Sequence, residues 1–161
     1  MSLAKRKGSI PVFSWRDNLA AQVLLAALFL SGLYISVLSH PLLSVPYILL
    51  WGASYLVLFA GTCRFCVYYG RACPVPLEGS MVCRVFPKSG KPFGWPALFF
   101  AAAAYILRIG IPVAVIVGKG LLTEGIVFGL VFVMFWAVHL FISGCPNCMN
   151  YPCPLNPGKP T

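Results

Sequence analysis

Charged residues are scarce in this chain, and acidic ones are almost missing. Only 9% of the 161 residues are charged, and the three acidic residues are Asp17, Glu78 and Glu124. Because a soluble domain of this length is usually about a quarter charged, the composition indicates an integral membrane protein. The sequence also lacks paired catalytic carboxylates, and no acidic residue lies in an apolar run where it would serve proton transport.

Other familiar signals are absent as well. There is no glycine loop for phosphate binding and no nucleophile elbow. Histidine occurs twice, at His40 and His139, which the hydropathy places near opposite faces of a membrane. Without a C-x2-C-H motif or an axial histidine pair, haem binding is not expected.

Four apolar runs account for most of the chain, at 19–38, 47–62, 97–117 and 126–143. A bilayer core of roughly 30 Å is spanned by about 20 helical residues, so each run predicts a transmembrane helix. The short connections at 39–46 and 118–125 make the helices of each pair antiparallel neighbours. We therefore predict an all-α integral membrane protein whose four transmembrane helices form two hairpins in a four-helix bundle.

Six of the seven cysteines form a repeated pattern. The first three read C-x2-C-x6-C-P and the second three read C-x2-C-x4-C-P, with matching cysteines 82, 82 and 80 residues apart. This spacing predicts two tandem-duplicated hairpins, each followed by a Cys-rich loop or tail. We expect one membrane domain over 1–161, with module A at about 19–83, a loop at 84–96 and module B at about 97–161. The repeated cysteines are Cys63, Cys66, Cys73, Cys145, Cys148 and Cys153.

The basic residues predict the orientation. Ten of the twelve Lys and Arg residues lie on one side of the predicted spans, only Lys119 lies on the other side, and Arg108 lies inside. The positive-inside rule places both termini and the central loop in the cytoplasm, so we expect a multi-pass protein of the cytoplasmic (inner) membrane. The scattered positive charge also favours anionic lipid headgroups, and it does not predict nucleic-acid binding. The ten residues are Lys5, Arg6, Lys7, Arg16, Arg64, Arg71, Arg84, Lys88, Lys91 and Lys159.

This orientation puts all seven cysteines in a reducing compartment, where metal ligation is favoured over stable disulfides. Thiolates three residues apart can bind one ion from a single turn, so each C-x2-C pair is a candidate metal ligand. The metal is left open between zinc and an iron–sulfur cluster. A thiolate centre against the membrane face favours iron–sulfur, since electrons can pass there to a lipid-soluble carrier such as a quinone.

Two groupings of the cysteines are possible. In the first, Cys83 completes a four-thiolate set with the three cysteines of module A. The cysteines of module B then need a fourth ligand from solvent, a partner subunit or His139. In the second, the two C-x2-C pairs share one ion, and Cys73, Cys83 and Cys153 remain for another site. The sequence does not choose between these groupings.

Two further residues are candidate cofactor-binding residues. Arg108 lies near the middle of the third run, and no carboxylate partner is expected for it. It either bonds freed carbonyls and hydroxyls such as those of Ser31, Tyr34 or Ser54, holds an anionic or quinone-like ligand, or pairs with a partner subunit. His139 lies six residues before Cys145, roughly 9 Å along a helix, which is too deep to share a metal unless the helix end unwinds. A hydrogen-bonded core histidine, a proton or redox role and a ligand are its three interpretations.

These features lead to three functional hypotheses. The first is electron transfer, as a membrane subunit or accessory of a larger redox complex. The second is a non-enzymatic scaffold or assembly factor stapled by zinc. The third is a thiol oxidoreductase or a metal-handling protein. Whether the chain is an enzyme is left open.

Overall fold

The computed structural model describes residues 10–75 and 78–156, and every regular element in these ranges is helical. Four helical segments are long and apolar enough to cross a membrane, which confirms the four predicted spans. A fifth, short helix between the second and third spans was not predicted. The α-helices are α1 (Trp15–Ser39), α2 (Ser44–Gly61), α3 (Glu78–Val85), α4 (Trp95–Lys119) and α5 (Leu122–Ala137).

Short connections join the helices within each pair. A 3-10 turn at Pro41–Leu43 links α1 to α2, and the backbone N–H of Leu42 donates to His40 Nδ1 at 3.2 Å. At the end of α4, Gly120 adopts the left-handed conformation with φ 66°, which glycine tolerates because it has no Cβ. Both connections leave too few residues for anything but an antiparallel return.

The helices of the two pairs are interleaved in the bundle. The most extensive packing joins α2 to α4, and α5 packs mainly on α1 rather than on α4. Close approach of α1 and α2 depends on Gly32, because Tyr47 lies against the position that a Cβ would occupy. The Tyr47 hydroxyl donates to the Phe29 carbonyl at 3.1 Å, so this buried phenol keeps a partner.

Both Cys-rich segments lie at one end of the bundle, together with the described parts of both chain ends. The Phe13 N–H donates to the Ala72 carbonyl at 3.2 Å, and the Ile10 N–H donates to the Asn147 carbonyl at 3.0 Å. The side of the membrane on which this end lies stays a prediction. Four of the basic residues used for that prediction, Lys5, Arg6, Lys7 and Lys159, lie outside the described residues.

Candidate functional site

The two C-x2-C motifs have the same backbone conformation. Each begins a 3-10 turn at the end of a membrane helix, at Cys63–Phe65 after α2 and at Cys145–Asn147 after α5. The second cysteine is extended in both, with φ and ψ of −81° and 150° at Cys66 and −77° and 133° at Cys148. In each turn its N–H donates to the carbonyl of the first cysteine, at 3.1 Å and 3.3 Å. The sequence repeat is therefore also a repeat of local structure.

The six repeated cysteines line one cavity of about 170 Å³ at this end of the bundle. Cys63 is buried and the other five are half-buried. Cys83 is not among the lining residues: it lies exposed on α3, and its thiol donates to the Ser80 carbonyl at 3.2 Å. The structure thus brings six of the seven predicted ligands together and leaves Cys83 apart.

Burial sets the protonation of these thiols. It raises the pKa of Cys66 and of Cys73 to about 12, and it also raises the pKa values of Cys148 and Cys153. The Cys148 and Cys153 thiols raise the pKa of Cys66 further, which shows that the two modules lie within electrostatic range of each other. Burial therefore favours the protonated, uncharged thiols, and a metal has to displace their protons.

The thiols make local contacts as they stand. The Cys73 thiol donates to the Val75 carbonyl at 2.6 Å, and the Cys148 sulfur accepts from the Asn150 N–H at 3.4 Å. Within 10–75 and 78–156, no three His, Cys, Asp or Glu side chains are arranged to hold a metal ion. The donor set suits a soft metal in type and number. To bind one, the side chains have to turn from these local bonds toward the cavity.

Tyr68 joins the two modules and was missed by the sequence reasoning. Its ring is 2% exposed, its hydroxyl donates to the Ile10 carbonyl at 2.7 Å, and it accepts from the Met149 N–H at 3.0 Å. The ring also meets Phe13 edge-on, with centroids 5.6 Å apart. The sequence offered no signal for this role, because both hydrogen bonds are to backbone groups far away in the chain.

His139 lies on the membrane side of the same cavity. The end of the fourth span widens into a π-helical turn at Val138–Ser143, in which the Gly144 N–H donates to the His139 carbonyl at 3.1 Å. A Cβ on Gly144 would lie only 2.8 Å from His139 Nδ1, so the imidazole sits directly against the residue that precedes Cys145. The helix end therefore widens but stays wound through Ser143, directly before the second C-x2-C motif. The Nδ1 atom is buried and has no hydrogen-bond partner.

Arg108 is completely buried and has a carboxylate partner, so the expectation that it lacks one is wrong. Its Nη2 lies 3.4 Å from Glu78 Oε1, and its Nε donates to Ser54 Oγ at 2.8 Å. The sequence did not predict this pair because Glu78 lies outside the apolar runs. Three aromatic rings also surround the guanidinium, with centroids 4.6 to 5.1 Å from Cζ. They belong to Trp51, Tyr55 and Tyr105.

Glu78 reaches this position because α3 packs tightly on the preceding loop. Gly79 lies against backbone carbonyls there, and a Cβ would stand 2.8 Å from that of Tyr68. The Gly70 N–H donates to the Gly79 carbonyl at 2.7 Å. Burial raises the pKa of the Glu78 carboxyl to about 7, and the Arg108 charge opposes this rise. Glu78 also lines the cysteine cavity, so it connects the ion pair with the thiols.

Aromatic side chains lead from the cavity into the membrane region along α5. The His139 and Trp136 rings lie 6.0 Å apart, and the Trp136 and Phe132 rings lie 6.4 Å apart. Trp136 lines the cysteine cavity, whereas Phe132 lines a separate apolar groove of about 360 Å³ between α4 and α5. The two spaces are thus linked by rings on one face of a single helix.

Comparison with known proteins gives no assignment, because no family model, no curated protein and no solved structure matches this chain. Two features of the site carry the functional argument instead. One is the convergence of six thiols from two equivalent turns. The other is their position at the end of a membrane bundle.

Proposed function

We propose that this protein is a membrane electron-transfer protein, a subunit or accessory of a larger redox complex, whose repeated cysteines hold an iron–sulfur centre. The observation that carries the proposal is the convergence of six cysteines on one cavity. Cysteine thiolates are the usual ligands of such centres, which exchange single electrons when bound. The two tandem modules each contribute one C-x2-C turn and one further cysteine.

The surroundings of the cavity support electron exchange with the membrane. Trp136 and Tyr105 line the cavity together with the thiols, and their ring centroids are 4.8 Å apart. The groove beyond Phe132 is lined by apolar side chains, and we propose it as the place where the tail of a lipid-soluble carrier such as a quinone binds. Arg108 is a less suitable ligand site than expected, because its guanidinium is 0% exposed and enclosed by protein groups.

The thiol oxidoreductase hypothesis has less support. A reactive cysteine is accessible and has a lowered pKa. The repeated cysteines are buried or half-buried, and burial raises the pKa values of Cys66 and Cys73. The exposed thiol of Cys83 lies outside the cavity that the six repeated cysteines line.

A zinc-stapled scaffold is the second candidate, and the Tyr68 contacts favour it. The hydrogen bonds of Tyr68 already join module A, module B and the segment near Ile10. A structural zinc among the same cysteines would link the ends of α2 and α5 covalently and stabilise this arrangement. In this case the protein would hold partner proteins in place and would not transfer electrons.

Anaerobic purification followed by metal and sulfide determination tests the proposal. We expect a brown protein containing iron and acid-labile sulfide, and loss of both in the double variant Cys66→Ser, Cys148→Ser. The matched control is Cys83→Ser, which removes a thiol outside the cavity and retains the metal. A colourless protein with stoichiometric zinc would support the scaffold instead. Full metal content in the double variant would show that the ligand assignment is wrong.

A further inference from the structure

We infer that His139 is the fourth ligand of the metal held by Cys145, Cys148 and Cys153. The inference rests on the proposed metal centre and adds an asymmetry to it, since module A has no histidine at the matching position. A set of three cysteines and one histidine is an established zinc ligand set, and histidine also replaces cysteine at some iron–sulfur centres.

The first step is the number of ligands. Each module contributes three cysteines to the cavity, whereas a tetrahedral metal takes four ligands. Cys83 lies exposed outside the cavity and does not supply the missing one. Among the other lining residues, Glu78 supplies a carboxylate and His139 an imidazole, and Glu78 is already paired with Arg108. His139 is therefore the available donor.

The second step is the local geometry of the chain. The π-helical turn at Val138–Ser143 contains His139 and ends the fourth span directly before Gly144 and Cys145. Gly144 has no side chain, and the imidazole occupies the adjacent space. The ring is held by stacking on Phe135, with centroids 6.1 Å apart and an angle of 15° between the planes. The turn thus presents the imidazole beside the second C-x2-C motif.

The third step is the unpaired nitrogen. His139 Nδ1 is buried and has no hydrogen-bond partner. Leaving such a group without a partner destabilises the fold, so a buried unpaired atom in a folded protein calls for an explanation such as a bound ion. A metal bound to the imidazole explains why this polar ring lies at the cavity beside apolar side chains.

Cobalt titration of the purified full-length protein tests the inference. Co²⁺ is used alone, under anaerobic conditions, after the native metal has been removed, because it takes the tetrahedral thiolate geometry of zinc and is visible by absorption and EPR. With histidine labelled by ¹⁵N, we expect nitrogen coupling in the pulsed EPR spectrum of the Co²⁺ complex. His139→Gln should lose this coupling and weaken Co²⁺ binding at module B by at least about tenfold.

Two further variants separate ligation from folding. His139→Cys should restore tight binding with an all-sulfur spectrum, which a merely structural histidine would not do. His40→Gln, the control at the other histidine, should keep the nitrogen coupling and the affinity. Sulfur-to-cobalt absorption without nitrogen coupling in the wild type would overturn the His139 inference and leave the cysteine centre standing. Absence of any Co²⁺ binding would overturn both.

Discussion

The buried ion pair of Arg108 and Glu78 allows a quantitative prediction of how the free energy of unfolding changes when one charge is removed. Glu78→Gln keeps the shape of the side chain and removes its charge. The guanidinium of Arg108, which is 0% exposed, is then left without a counter-charge. Removing one partner of a buried ion pair typically costs 3–5 kcal/mol, because the remaining charge stays desolvated.

The structure places the expected cost at the lower end of that range. The distance of 3.4 Å between Arg108 Nη2 and Glu78 Oε1 is long for a charge-assisted hydrogen bond. The hydrogen bond to Ser54 and the three ring contacts also remain after the substitution, and each cation–π contact contributes about 0.5–2 kcal/mol. We therefore expect Glu78→Gln to lower the free energy of unfolding by about 3 kcal/mol.

Reversible unfolding in mixed detergent micelles measures this change at a pH well above the Glu78 pKa of about 7, where the carboxyl is ionised. Chelator is present so that bound metal does not contribute. Glu124→Gln is the matched control at the start of α5, where loss of a helix-end charge costs less than about 1 kcal/mol. In the double variant Glu78→Gln, Arg108→Met, the loss should be at least about 1 kcal/mol smaller than the sum of the single losses. Additive losses, or a Glu78→Gln variant as stable as the wild type, would refute the reasoning.

Three further predictions concern the cavity and the residues around it. Tyr68→Phe removes the hydroxyl that bonds Ile10 and Met149. It should lower the free energy of unfolding by about 1–3 kcal/mol, measured by thermal or chemical denaturation. An unchanged free energy of unfolding would contradict the role of Tyr68. Gly144→Ala introduces a Cβ against His139 and should reduce the metal content of the protein. Gly129→Ala, at a glycine with open space around it, should leave the metal content unchanged. Equal metal content in the two variants would contradict the packing argument. Because burial raises the thiol pKa values of Cys66 and Cys73 to about 12, metal binding near neutral pH should release protons and weaken as the pH falls, and a pH-independent affinity in a competition assay would count against thiolate ligation.

Much of the fold was predictable from composition and hydropathy. Four membrane-length runs predicted four spans, and the structure has four helices that are long and apolar enough. The periodic cysteines also predicted local equivalence, since both C-x2-C motifs form the same 3-10 turn. These features depend on short stretches of chain, which is why their signals survive in the sequence alone. The orientation of the bundle depends on basic residues and stays a prediction.

The contacts of individual side chains could not be predicted from the sequence in the same way. Arg108 was expected to lack a carboxylate, yet Glu78 reaches it because α3 packs on the loop at Gly70 and Gly79. Cys83 was grouped with the other cysteines, although it lies exposed on α3. Neither outcome follows from spacing along the chain, since α3 has no membrane signal and its position depends on backbone contacts with another segment.

The sequence by itself determined that the chain has four helices long and apolar enough to cross a membrane, and that it carries a repeated set of thiols. The hydrophobicity of a segment depends only on its own residues, so it can be calculated without knowing what the segment contacts. A duplicated motif is likewise recognisable from the spacing of its residues alone. Only the tertiary structure decided that six cysteines share one cavity, that His139 faces it through a π-turn and that Tyr68 ties the modules together. These relations join groups far apart in the chain, and their distances are set by how α2, α4 and α5 pack and by where each helix ends.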